Sequence, residues 1–305
     1  MKKTLTKLLA VAMTASVLLS ACSSGTTTTE NEGGESTNTG SEGTTTEEGG
    51  SETETETAST GEEIKDLVIL RLSTRELQTF NILYSQMAAD FENLCNLTDP
   101  LLEVTPSGEL APCMAEKWGS EDGGLTWTFH LREGVKWVDM NGNEMADVTA
   151  RDFATGLEWV LNFYKNDSAN TSMPIEMIEG ASEYYEYTKT LTQEEAYALT
   201  ADDGSQFLEM VGIEIPDDYT IVYHCIDPKP YFDTVATYAC MYPISQGLID
   251  SLGVDGVKAM NNENMWYNGC YTMTSYIQGN EKVFTKNESY WDTDAKLFDT
   301  VTVRS

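Results

Sequence analysis

The chain has 305 residues and a formal net charge of −32, from 50 Asp and Glu against 18 Lys and Arg. Three lysines lie in the first 21 residues and eleven glutamates in the next 42, which leaves −24 on residues 64–305. A surface of that sign cannot neutralise phosphates or dock electrostatically on anionic lipid, so nucleic acid is excluded as a partner; the length and aromatic content suffice for one large or two modest cores.

The chain opens on Lys2, Lys3 and Lys7, followed by the nearly polar-free run Leu8 to Leu19. That run is too short for a permanent bilayer span and suits a secretory signal. It ends in Leu19-Ser20-Ala21-Cys22, which resembles the bacterial lipobox. The resemblance implies that residues 1–21 are removed and that the Cys22 thiol is acylated. One acyl chain anchors only marginally, so stable attachment needs more than one. Residues 22–63 are Ser, Thr, Gly and Glu with few other types and no Lys or Arg. Such a segment cannot bury apolar surface and is expected to be a disordered, charge-extended stalk. No later apolar run is long enough to span a membrane.

The folded part is expected over residues 64–305. DLVILRLS (66–73) reads as a buried strand. SQMAADFENLC (85–95) has Met87, Phe91, Leu94 and Cys95 at helical spacing. PLLEVTPSGELAP (100–112) predicts two short strands around Pro106-Ser107-Gly108. After Asp122-Gly123-Gly124, Leu125, Trp127, Phe129 and Leu131 alternate with Thr126, Thr128 and His130, the clearest strand signal in the chain. VTARDFATGLEWVLNF (148–163) predicts a helix capped by Thr149 and Asp152, with Phe153, Leu157, Val160 and Leu161 as its apolar stripe. A polar, Tyr-rich helical stretch follows over 175–199. Residues 212–225 predict a hairpin turning at Pro216-Asp217-Asp218. Residues 231–239 and 245–252 predict helices, 268–291 a second hairpin turning near Gly279-Asn280, and 297–305 a strand. Strands and helices mix without strict alternation, so the expected class is α/β or α+β with mixed sheets.

Cys95, Cys113, Cys225, Cys240 and Cys270 are odd in number, and no CxxC or Cys/His spacing suggests zinc. Free, largely buried thiols are expected, with a Cys225–Cys240 disulfide left open. VDMNGNEMADVTARDF offers Asp139, Asn141 and Asn143 in loose imitation of a calcium loop. However, Gly142 is misplaced and Ala150 stands where the closing Glu belongs, so a surface loop is expected. No nucleophile elbow, HExxH, phosphate loop or dinucleotide fingerprint is present, and the acid pairs Asp202/Asp203 and Asp217/Asp218 lie in turns. Neither an enzyme nor a cofactor or metal is expected.

LTWTFHLREGVKW followed by VTARDF resembles a signature of the family 5 extracellular solute-binding proteins, the oligopeptide receptors of ABC importers. NGCYTMTSYIQGNEKVFTKNESYW resembles a second signature, and DPLLEVTPSGELAPCMAEKW and DDYTIVYHC match in order. The resemblance implies a type II periplasmic-binding-protein-like fold that ends before its second lobe. Residues 64–85 and about 260–305 would belong to lobe one, and about 86–259 to an inserted domain and return segment. It further implies a monomeric receptor, lipid-anchored outside a Gram-positive cell, that clasps peptides for permease subunits. The ligand strips would be Glu76, Leu77 and Gln78, and Asn268, Gly269, Cys270 and Tyr271. A truncated surface lipoprotein that does not transport, or a receptor of the same fold for an oligosaccharide or metal chelate, are the alternatives.

Overall fold

A computed structural model describes residues 64–71 and 76–304; the expected signal peptide, stalk and lipidated Cys22 lie outside them. In chain order the strands are β1 (Asp66–Leu70), β2 (Leu102–Val104), β3 (Leu110–Pro112), β4 (Ala115–Gly119), β5 (Thr126–Leu131), β6 (Lys136–Val138), β7 (Glu144–Asp147), β8 (Ile213–Asp217), β9 (Thr220–His224), β10 (Tyr271–Ile277), β11 (Glu281–Lys286) and β12 (Thr300–Arg304). The helices are α1 (Ala88–Leu94), α2 (Ala150–Leu161), α3 (Ser172–Met177), α4 (Ala181–Thr190), α5 (Gln193–Tyr197), α6 (Gln206–Met210), α7 (Phe232–Val235) and α8 (Gln246–Lys258).

Two four-stranded sheets organise these elements. Sheet one runs β1-β12-β11-β10; β1 and β12 are parallel and the other pairs antiparallel. Sheet two, β4-β5-β9-β8, is antiparallel throughout. The β2–β3 and β6–β7 hairpins stand apart from both. The mixed α/β class expected from the sequence is therefore observed.

Alternation does in sheet two what it predicts. Trp127, Phe129 and Leu131 of β5 are buried while His130 is exposed. Phe129 meets the Tyr223 ring edge-on at 5.9 Å, and Trp127 packs near Phe232 at 6.4 Å. Leu125 departs from the pattern and is 39% exposed, because it precedes the strand in the turn. Helix α2 starts as expected, with the Asp152 carboxylate accepting the Thr149 N–H at 2.8 Å. It is not a one-stripe helix, though. Neighbours enclose it on nearly every side. The most deeply buried acid on it, Glu158, is met by Lys165 Nζ at 2.7 Å and by the Tyr184 hydroxyl at 2.9 Å, as an ion inside a core requires.

Several expected boundaries move. The 175–199 stretch is three helices, because Gly180 takes φ +69° between α3 and α4 and Leu191 leaves helical geometry after α4. The helix expected over 231–239 keeps only one turn as α7. The one expected over 245–252 continues to Lys258, bent where Gly253 adopts φ +69°. Strand β1 is short and lies at the edge of sheet one, with Val68 and Leu70 56% and 77% exposed, so it is not the buried strand its composition suggested. Asp139 accepts hydrogen bonds from the Asn141 and Asn143 N–H groups at 2.8 and 2.9 Å in the β6–β7 hairpin, an ordinary side-chain-stabilised turn. All five described cysteines are free thiols, so Cys225 and Cys240 are not bridged.

Candidate ligand-binding site

Between β1 and α1, residues 76–87 form no helix or strand, yet polar bonds hold them along their length. The Glu76 carboxylate accepts the Tyr276 hydroxyl at 2.9 Å and the Gly279 N–H at 3.0 Å, which ties the segment to the β10–β11 hairpin. Burial, reinforced by that carboxylate, pushes the Tyr276 hydroxyl up to about 12. The Gln78 N–H donates to Asp90 Oδ1 at 2.8 Å, and Ser85 Oγ donates to Asp90 Oδ2 at 2.6 Å. Asp90 is fully buried, and these donors replace the water it has lost. Asn170 Nδ2 donates to the Leu83 and Ser85 carbonyls, and Ser168 Oγ to the Tyr84 carbonyl.

The pattern of side chains explains the shape. Leu77, Phe80, Ile82 and Leu83 turn inward and are buried, while Gln78 is exposed and Tyr84 is 43% exposed. Phe80 meets Tyr276 edge-on at 5.3 Å. Asn, Ser and Asp at 81, 85 and 90 supply the local bonds that let a chain without ladder partners stay in one conformation. The outward face forms a groove of about 360 Å³ whose walls include Gln78, Thr79, Tyr84, Asp167 and Lys258.

The second set of sequence-expected residues sits elsewhere. Asn268 is 1% exposed; its Oδ1 accepts the Asp99 N–H at 3.0 Å, and its Nδ2 has no partner. Gly269 donates its N–H to the Leu97 carbonyl at 3.1 Å, and a Cβ there would lie 2.7 Å from the Asn96 oxygen. Cys270 is half-buried with its Sγ 3.6 Å from the same oxygen, and burial pushes its thiol up to about 12. Tyr271 is buried against Phe284 and borders a separate cavity of about 170 Å³ between sheet one and α1. Thus 268–271 clasp residues 96–99, whereas 76–78 contact the far end of β10. Asp90, Ser168, Asn170 and Lys258 escaped the sequence reading. The bonds that place them reach across 5 to 94 residues of sequence, so no local pattern marks them.

Among the described residues no cluster of His, Cys, Asp and Glu could hold a metal ion, and no helix is long and apolar enough to cross a membrane. The geometry suits non-covalent capture: a fixed backbone beside an open polar groove.

Solved structures share this mixed α/β architecture. Superposition on the Haemophilus influenzae OppA complex with RPPGFSPFR gives a TM-score of 0.62 at 25% identity, covering 80% of this chain and 42% of that one. Listeria monocytogenes OppA bound to peptide gives 0.62 at 20% identity, covering 80% and 43%, a likeness of fold. The profile of bacterial extracellular solute-binding proteins, family 5 Middle, matches residues 109–305, and the chain belongs to that family of non-enzymatic solute-binding proteins. Similar curated sequences include the oligopeptide-binding protein SarA of Streptococcus gordonii, 31% identical over 71% of this chain, and AmiA of Streptococcus pneumoniae, 30% identical over 75%. The chain matches only 30% and 32% of those two proteins' lengths.

Proposed function

We propose that the chain is part of a receptor that captures oligopeptides outside the cell for an ABC importer, by closure of two lobes, and that lipid on Cys22 anchors it to the membrane. In this reading residues 64–85 and about 260–305 belong to the first lobe, and about 86–259 to an inserted domain and return segment. The observation that carries it is the pinned segment at 76–86. Its backbone is fixed by Asp90, Asn170 and Ser168, while Gln78 stays exposed at the groove. A fixed, irregular backbone edge can bond an extended peptide through main-chain groups, and roomy wet surroundings tolerate different side chains. Gln78 is the proposed direct contact, Leu77 its buried footing, and Glu76 the residue that orients the segment. Asn268, Gly269, Cys270 and Tyr271 are the proposed second strip, which acts through its grip on residues 96–99. The relatives named as oligopeptide-binding proteins support the ligand class.

The test is to isolate the protein from its own cells without denaturation and identify what acid releases from it. Peptides of mixed sequence are expected by mass spectrometry. Oligosaccharides, metal chelates or no ligand would overturn the peptide reading.

A further inference from the structure

Cations are scarce on this chain, and most are already matched. Arg71, Arg132, Arg151, Lys136, Lys165, Lys189 and Lys229 all sit within 4 Å of a carboxylate. Lys258 differs. Its ammonium donates to the Tyr164 carbonyl at 2.6 Å and to the Tyr197 hydroxyl at 3.1 Å, and it lies 5.2 Å from the Tyr197 ring centre. All three of these partners are neutral, and Lys258 forms no ion pair among the described residues. Two donated bonds leave the ammonium one N–H to give. The side chain is exposed and forms a wall of the groove that Gln78 also lines.

Other charged groups share or border that groove. Lys165 is buried and spends its charge on Glu158. Asp167 is an exposed carboxylate on the same groove, and Asp255 accepts the Tyr197 hydroxyl at 2.9 Å one bond removed from the ammonium. The groove thus offers a positioned cation whose present acceptors are a carbonyl and a phenol, both weaker partners than an anion. Gln78 and Thr79 lie on the same groove and bring neutral polar atoms to it.

Resting on the peptide-receptor reading, we propose that the groove between Gln78 and Lys258 is an anion subsite, in which the Lys258 ammonium takes a carboxylate of the bound peptide. The carboxylate comes either from the ligand's C-terminus or from an Asp or Glu side chain. The bond formed is a charge-assisted hydrogen bond with no covalent step.

The test uses the full chain and three N-acetylated peptides of equal length by calorimetry: trialanine acid, trialanine amide, and the amide with a central Asp. The wild-type protein is expected to bind at least one carboxylate-bearing peptide about tenfold more tightly than trialanine amide. Preference for the acid assigns the C-terminus, and preference for the Asp peptide assigns a side chain. Lys258→Met should abolish the preference, and Lys258→Arg should keep most of it. Thermal unfolding of both variants guards against a collapsed fold. Equal binding of all three peptides, or a preference that survives in Lys258→Met, overturns the subsite alone. Failure of all three to bind overturns it together with the peptide-receptor reading.

Discussion

At the scale of single residues, Asp99 shows how burial couples this fold to pH. It is 5% exposed, and burial pushes its carboxyl up to about 6, against the pull of hydrogen bonds from Trp291, Cys113 and Tyr290. The Trp291 Nε1 donor stands 2.8 Å away, so the residue joins the 287–291 segment to the loop after α1. An unfolded Asp titrates near 3.9, so the folded state holds this proton more tightly. Its contribution to stability is therefore present in full below about pH 4 and is lost as pH rises through 6. A shift of that size corresponds to about 3 kcal/mol. Asp99→Asn, which keeps an acceptor for Trp291, is expected to flatten stability between pH 4 and 6. Urea unfolding of both proteins across that range measures it; parallel curves would show that Asp99 does not titrate there.

At the scale of elements, glycine decides where helices stop. Gly180 and Gly204 have similar positive φ, +69° and +76°. A Cβ at Gly180 would meet the Met210 carbonyl oxygen at 1.7 Å, whereas one at Gly204 meets nothing within 4 Å. Gly204→Ala is expected to cost about 1 kcal/mol, the backbone penalty alone. Gly180→Ala should cost at least about 2 kcal/mol more, because α6 must also move. Equal losses in urea unfolding would mean that the approach of Met210 to Gly180 relaxes freely. The same glycines explain what the sequence concealed. The β5 alternation and the α2 start signal were readable because each depends on residues a few positions apart. The break at Gly180 depends on a carbonyl thirty residues away, and the exposure of β1 depends on what flanks it in the sheet.

At the scale of the whole molecule, family and architecture were legible from ordered motifs, since the WTFHLREGVKW segment supplies β5 of sheet two and the separate β6, and KNESYW reaches the seam around Asp99 and Trp291. The groove was less legible. Gln78 was marked, but Lys258 reaches it only through the path of the chain between them. Attachment to the cell belongs to this scale as well. Cys22→Ser is expected to move the protein from the membrane fraction to the medium, because lipidation needs the thiol. Unchanged fractionation of that variant would remove the lipid anchor from the proposal.

The pairing of β1 with β12 sets an order of assembly. Asp66 is hydrogen-bonded alongside Thr300, more than two hundred residues downstream. A ribosome therefore releases β1 long before its partner strand β12 exists, whereas β5, β9 and the hairpins between them find partners sooner. Contacts so distant in sequence form late and slowly. Sheet two and its helices are thus free to condense first, and sheet one closes on them as a clasp. Until it does, Val68 and Leu70 belong to a strand without a sheet, and a nascent chain halted anywhere before residue 300 would display that edge to whatever escorts it.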